Sequence, residues 1–323
     1  MGAVLATSRS FSSGSVDQVS RLAEFGHTVT IGPSNHDIVQ LRLLLRDAVG
    51  WIVGTGPVTA AHLDLAPNLR VVARYGVGVD AVDLEAARDL GIVVTNTPGA
   101  NSGAVADHAV GLMLAVLRGT TEGDRRVRSG SWSVFRGREL GSLTVGIVGF
   151  GRIGQGVARR LTGFGSRIVA HDPWLKHDQI QGAGASPLDV AAMAAECDII
   201  TLHAPGGTTI ITQDWLSSAR HGLVVINTAR ADLVDETALA DALRAGVVAG
   251  FAADTLTGDT RGNTSPLLAS DLADRVIVTP HFGAQTVEAV DNMGSIAVTN
   301  VLAVLGGDTP PNQVPTNPVP TKA

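Results

Sequence analysis

The sequence predicts an α/β protein of two parallel-sheet domains, Rossmann-like and flavodoxin-like, with a cleft between them. Three observations carry that expectation. Short apolar runs alternate with helix-like stretches from end to end, the pattern of parallel sheets covered by helices. The 323 residues exceed a typical single core, so two domains are the natural division. A glycine-rich turn also falls between a strand-like run and a helical pattern in the second half.

The first series of strands comprises "AVLATS", "HTVTI", "WIVGT", "RVVARY" and "IVVTN", separated by stretches such as "VDQVSRLAEFG" and "DLEAARDLG". Those helical stretches end in glycine, the residue that most readily turns the chain after a helix. The result is a five-stranded unit ending near Asn96. A longer amphipathic stretch, "NSGAVADHAVGLMLAVLRGTTEGDRRVRSG", follows. The second series then runs "LTVGIVGFG", "SRIVAHD", "CDIITLHA", "GLVVINTA", "VVAGFAAD" and "RVIVTPH". The last helical pattern, "AVDNMGSIAVTNVLAVLGG", precedes a proline-rich tail expected to be extended. Because the first series has no closing helix of its own, this last one is expected to return to it. The domains are therefore expected at 1–98 plus 287–323 and at 99–286, joined twice around a hinge.

Composition narrows the function. With 45% apolar residues, 38 glycines and 14 prolines, the chain reads as an ordinary folded protein. A formal charge of -6 and short basic runs such as Arg125, Arg126 and Arg128 argue against a nucleic-acid partner. Cys197 is the only cysteine, which excludes an internal disulfide and a thiolate zinc site, and no metal is expected. A cytoplasmic location and no membrane partner are the corresponding expectations. Lys176 and Lys322 are the only lysines and neither follows a glycine, so the phosphate-loop motif is missing; G-x-S-x-G and H-E-x-x-H are missing too. His27, His36, His62, His177 and His221 lack metal spacing and are expected at the surface, while His108 and His203 suit packing or cofactor-lining positions. Trp132 and Trp174 read as interface or domain-packing anchors.

"TVGIVGFGRIGQGVARRL" sets Gly149, Gly151 and Gly154 in G-x-G-x-x-G spacing between a strand and a helix. Such glycines permit a tight turn and let the backbone approach a pyrophosphate at the helix N-terminus. The following strand ends at Asp172, where a carboxylate can accept both ribose hydroxyls of an adenosine and would repel a 2′-phosphate. NAD is therefore expected as cofactor in preference to NADP. Reduction of a carbonyl also needs a cation for the oxygen and carboxylate, and an acid for the forming alkoxide. Arg230 in "VVINTARADLVDE" and His281 in "VIVTPHFGAQT" stand just beyond predicted strands, where open α/β sheets place ligands.

At these residues the chain resembles the D-isomer-specific 2-hydroxyacid dehydrogenase family. The likeness runs through "ARYGVGVDAVDLEAARDLGIVVTNTPGANSGAVADHAVGLMLA", "ELGSLTVGIVGFGRIGQGVARRL", "INTARADLVDETALADAL" and "VIVTPHFGAQT". It implies an NAD-dependent enzyme acting on a small acid, usually a homodimer through segment 101–135. Arg230 is then the catalytic arginine and His281 the acid/base. The cofactor would be held by Val105, by Gly149, Phe150, Gly151, Arg152, Ile153 and Gly154, and by Asp172 and Pro173. His203, Ala204, Pro205, Thr228, Ala229 and Gly283 would line it, together with Arg230 and His281, and Asp254 would meet the nicotinamide amide. Gly54, Thr55, Tyr75, Gly76, Val77, Gly78 and Asn101 would frame the substrate, with the N–H groups at 77 and 78 as an anion nest.

Two departures matter. Ala231 follows the arginine where the family has glycine. Counting from Asp254 places Asp259 and Thr260 where the family has glutamate and proline, so Asp259 is the expected carboxylate partner of His281, on a shorter side chain. Two other readings of the resemblance stay open: a dehydrogenase acting on a phosphonate or phosphite-type acid, and a non-catalytic NAD-sensing corepressor.

Overall fold

In the first unit every strand is parallel, and the order β2-β1-β3-β4-β5 joins β1 (Gly2–Ala6), β2 (His27–Ile31), β3 (Ala48–Val53), β4 (Val71–Arg74) and β5 (Val93–Thr95). The structure, a computed structural model, describes residues 2–258 and 264–315. β3 and β4 are buried nearly throughout, which is why they read as continuous apolar runs and not as alternating ones. Strand order reverses between β1 and β3, so the loops after them diverge at the sheet's carboxyl edge, where such folds bind ligands. There Gly54 presses on the first loop; a Cβ at 54 would stand 3.2 Å from Ser8 Cα.

The last helix, Val287–Gly306, closes this unit. By length and composition it could cross a bilayer, yet half of it is buried inside the protein. It lies over β3, β4 and β5: Val301 comes within 3.3 Å of a Cβ built at Gly50, Asn300 donates to the Asn96 carbonyl at 3.0 Å, and Tyr75 donates to the Val290 carbonyl at 2.7 Å. The chain accordingly divides into Met1–Asn101 with Ala284–Ala323, and Ser102–Gly283. The first junction lies at 101/102 and not 98/99 because Thr97 N–H bonds the Gly76 carbonyl, tying the 97–100 turn to the first sheet.

The expectation that His36 and His62 lie at the surface is overturned. They are 2% and 5% exposed and belong to one buried network. Trp51 Nε1–H donates to Thr7 Oγ1 at 3.0 Å, Thr7 Oγ1 meets His36 Nε2 at 2.7 Å, and His36 Nδ1–H donates to the Pro57 carbonyl at 3.0 Å. His62 Nε2 bonds the His36 carbonyl at 2.9 Å. Burial, only partly offset by the Pro57 bond, pushes the His36 imidazole down to about 4, so it is neutral near pH 7. Hydrogen bonds, not apolar spacing, hold these side chains, so periodicity gave no warning of them. His36 also sits in the left-handed region at φ 55°, turning the chain under Gly56, whose Cβ would strike the imidazole.

The second unit holds a seven-stranded parallel sheet ordered β12-β11-β10-β9-β6-β7-β8. Its strands are β6 (Thr144–Val148), β7 (Arg167–His171), β8 (Ser186–Pro187), β9 (Ile199–Leu202), β10 (Leu223–Asn227), β11 (Val248–Ala253) and β12 (Val276–Val278). β8 has only two residues and no pattern that would announce it. Apolar clusters cover both faces. One, around Met193, Leu239 and Phe251, packs beneath helices Val190–Glu196 and Glu236–Arg244; the other, around Met113, Phe150 and Leu161, lies beneath Ser102–Arg118 and Arg152–Thr162. Here the strand order reverses between β6 and β9, which puts a second switch point beside the glycine-rich turn.

Candidate active site and cofactor cradle

Each glycine of the turn after β6 is needed for a different reason. Gly149 has φ 88°, and a Cβ there would lie 2.5 Å from Ala204 N and the His203 carbonyl carbon, so the loops after β6 and β9 touch backbone to backbone. Gly151, just before helix Arg152–Thr162, faces open space, with nothing among the described residues within 4 Å of its Cβ direction. Gly154 would drive a Cβ into the Gly149 carbonyl oxygen, so it sets the close helix–strand packing. An open position of this kind leaves room for a pyrophosphate to approach; the closed ones shape the turn. Phe150 is fully buried, whereas Arg152 is exposed and Ile153 half-buried at the helix start.

Asp172 follows β7 directly and its carboxylate accepts from Phe150 N–H at 2.8 Å and Trp174 N–H at 3.0 Å. The carboxylate is thereby fixed against the glycine turn, and Pro173 beside it is exposed. Polar atoms at the neighbouring strand ends fit a bound dinucleotide. His203 Nδ1 and Thr228 Oγ1 are buried and have no hydrogen-bond partner among the described residues, the condition a ligand donor or acceptor would relieve. Burial pushes the His203 imidazole down to about 3, leaving it neutral. Ala204 is half-buried and Pro205 exposed on that loop, while Val105 is buried on the Ser102–Arg118 helix.

Arg230 is positioned by a turn that its neighbours build. Asn227, 1% exposed at the end of β10, accepts from Ala229 N–H at 3.0 Å and donates to the Arg230 carbonyl at 2.8 Å, folding residues 227–230 back on themselves. The guanidinium donates to the Ala229 carbonyl at 2.9 Å. Asp232 accepts from Gly207 N–H at 2.6 Å and pins the loop after β9 beside this turn. Ala231 begins a short 3-10 turn, Ala231–Leu233, and lies outside the left-handed region, so its methyl needs no backbone adjustment. Asn227 and Asp232 were not singled out from the sequence; only their adjacency to Arg230 could have drawn attention to them.

His281 stands in the loop after β12 with φ 52°, a conformation that costs a non-glycine residue about 1–3 kcal/mol and persists where its surroundings enforce it. Asp254 supplies that enforcement. This carboxylate, 4% exposed at the end of β11, accepts from Thr279 Oγ1 at 2.5 Å, Phe282 N–H at 3.0 Å and Gly283 N–H at 2.7 Å. Burial alone would raise its pKa; the nearby His108 side chain and the hydrogen bonds from Thr279 and the Gly283 and Phe282 amides outweigh that and hold it below its ordinary 3.8. Asp254 therefore remains ionised and grips the loop on both sides of His281. Asp259, with Thr260, lies outside the described residues.

The loops expected to frame a substrate belong to the first unit. Asn96 donates to the Val77 carbonyl at 2.8 Å and Thr97 N–H to the Gly76 carbonyl at 2.9 Å, which fix the loop after β4. The N–H groups of Val77 and Gly78 make no backbone hydrogen bond among the described residues, as an anion nest requires. Gly54 and Thr55 are half-buried beside that loop's strand, and Asn101 Oδ1 is buried without a partner among the described residues. Tyr75 turns inward instead: it is 4% exposed and its hydroxyl is spent on Val290, so its side chain packs the unit. Trp132 and Trp174 are 82% and 74% exposed in the single chain.

Comparison with known proteins bears on the family and the fold. Residues 110–283 match the family described as "D-isomer specific 2-hydroxyacid dehydrogenase, NAD binding domain". D-3-phosphoglycerate dehydrogenase of Mycobacterium leprae is 38% identical over 264 residues, which is 80% of this chain and 49% of that one. The chain thus spans about half the length of the D-3-phosphoglycerate dehydrogenase it matches. Glyoxylate reductase of Thermococcus litoralis is 37% identical over 280 residues, 83% of each chain. Among solved structures, the TT0316 protein of Thermus thermophilus superposes with a TM-score of 0.87 at 35% identity, covering 97% of this chain and 100% of that one.

Proposed function

The chain belongs to the D-isomer-specific 2-hydroxyacid dehydrogenase family, and from that premise we propose that it interconverts a small D-2-hydroxy acid and its 2-oxo acid with NAD as cofactor. NAD(H), when bound, supplies or accepts the hydride at substrate C2. The chain's own residues do the rest. The Arg230 guanidinium holds the substrate's carboxylate and polarises its carbonyl oxygen. In reduction His281 gives a proton to that oxygen; in oxidation it takes the hydroxyl proton back. One hydride and one proton thereby convert the 2-oxo acid to the 2-hydroxy acid. Asp259 is the proposed carboxylate partner of His281, and the Val77 and Gly78 N–H groups the grip on the acid group, with Gly54, Thr55, Gly76 and Asn101 around them.

The observation that carries this reading is the investment around His281: a buried, ionised carboxylate takes three hydrogen bonds from the loop that holds one histidine in a costly backbone conformation. The same reading includes a cytoplasmic homodimer formed through segment 101–135, supported by Trp132 and Val134, which are 82% and 91% exposed in the single chain. NADH absorbance followed across a panel of 2-oxo acids and phosphonates tests it. A 2-oxo acid is expected to turn over, and His281→Asn to lower kcat/KM by about 100-fold or more. Turnover confined to phosphonates would move the substrate to that acid class. NADH binding with no turnover of any acid would replace catalysis by cofactor sensing.

A further inference from the structure

His108 and Thr279 take no part in the chemistry just described, yet they bear directly on it. Both lie in the second unit, His108 on the Ser102–Arg118 helix and Thr279 directly after β12. Thr279 Oγ1 stands 2.5 Å from Asp254 Oδ1 and 2.9 Å from His108 Nε2. The Ala253 carbonyl lies 3.3 Å from the same hydroxyl, but the ionised carboxylate is nearer and the stronger acceptor, so the threonine's single proton goes to Asp254. The threonine oxygen must then accept, and His108 Nε2 must carry the hydrogen. The direction of the chain is thereby fixed: His108 Nε2–H to Thr279 Oγ1–H to Asp254. His108 Nε2 also lies 3.5 Å from Asp254 Oδ1, and its ring stacks at a tilt on Phe282 with centroids 5.1 Å apart. Nor is there slack beyond it: a Cβ at Gly283 would lie 2.9 Å from Asp254 Oδ2 and 3.2 Å from His108 Cδ2.

We propose that His108 and Thr279 are positioning residues for His281, fixing through Asp254 the loop that aims its imidazole at the substrate oxygen. This rests on the dehydrogenase reading above. A carboxylate that could rotate would release the Phe282 and Gly283 amides, and with them the φ of His281, which lies between them and Thr279. Proton transfer needs the donor within about 2.6–3.2 Å of its acceptor, so a small displacement of the loop reaches the chemistry without touching substrate. The anchor is well chosen. A 17-residue helix packed in the unit's core cannot follow the loop if it drifts.

The test uses the purified full chain with Thr279→Val, Thr279→Ser, His108→Leu and His108→Gln. Valine and leucine delete the hydrogen-bond chain; serine keeps the hydroxyl, and the glutamine amide can donate from near the Nε2 position. Thr279→Val and His108→Leu are each expected to lower kcat by about 10- to 100-fold, with substrate KM and NADH Kd within about twofold of the wild type. Serine and glutamine should return kcat to within about threefold, and the Thr279→Val/His108→Leu double variant should be no worse than either single one. The imidazole Cε1–H resonance of His281, recorded without cofactor, should move in Thr279→Val and return in Thr279→Ser. An unchanged kcat and an unmoved resonance in Thr279→Val would overturn the proposal, as would a serine variant that stays impaired. If the wild type turns over no acid while the resonance still responds, the dehydrogenase reading fails and the positioning link stands.

Discussion

Acidification should destabilise the first unit through His36, and the size of the effect follows from its surroundings. The imidazole is 2% exposed, donates from Nδ1 to the Pro57 carbonyl and accepts the Thr7 hydroxyl at Nε2, so protonation breaks an accepted hydrogen bond and buries a charge. Its pKa falls from the ordinary 6.5 to about 4. A histidine with a lowered folded-state value contributes stability that is fully present above 6.5 and is lost as pH falls from there toward 4. Proton linkage between those values gives a loss of about 2 kcal/mol from pH 7 to pH 5. His36→Asn isolates it: asparagine tolerates the left-handed backbone at 36, and its amide can still donate toward Pro57. At pH 7 the variant should be less stable by about 1–2 kcal/mol, having lost the Thr7 bond and the ring's contact with Trp51. At pH 5 the two proteins should be nearly equal. Urea unfolding at both pH values, read from fluorescence of the fully buried Trp51, measures this; parallel losses in wild type and variant would refute the assignment of the acid sensitivity to His36.

The glycine turn offers a paired contrast. Gly149→Ala forces a methyl onto the 203–204 backbone at positive φ and should cost about 2–3 kcal/mol of stability with loss of NADH binding, whereas Gly151→Ala, with nothing in its way, should leave the melting temperature alone and still weaken NADH. Asp172→Ser removes the acceptor expected for the ribose hydroxyls; NADH affinity should fall about tenfold, by roughly 1.4 kcal/mol, and preference over NADPH should narrow, as fluorescence titration with both cofactors will measure.

The fold was legible because buried parallel strands such as β3, β9 and β10 are short, mostly apolar runs bounded by glycine and polar turns. The cofactor turn was legible for a related reason: its glycines answer backbone geometry, which fixes spacing along the chain. Side-chain networks have no such spacing. His36 pairs with Thr7 and Pro57, and His108 with Thr279, across 29, 21 and 171 positions respectively, so reading neighbours in sequence could not unite them. Asp254 shows the limit from another side. Resemblance attached it to the cofactor, whereas three of its hydrogen bonds go to the loop of His281, a commitment visible only once β11 and β12 lie side by side.

The return of helix Val287–Gly306 to the first sheet sets an order on synthesis. The second unit is one uninterrupted stretch and can complete itself on the ribosome, but the first has its strands ready by residue 95 and receives its closing helix some 200 residues later. At roughly 5–20 residues per second that is a wait on the order of 10–40 seconds. Through that interval the apolar surface around Gly50 and Val71, later covered by Val301, lies open to water or to a chaperone. The first unit is thus begun before the second and finished after it, and a nascent chain arrested before residue 287 would display a folded second unit trailing an unclosed sheet.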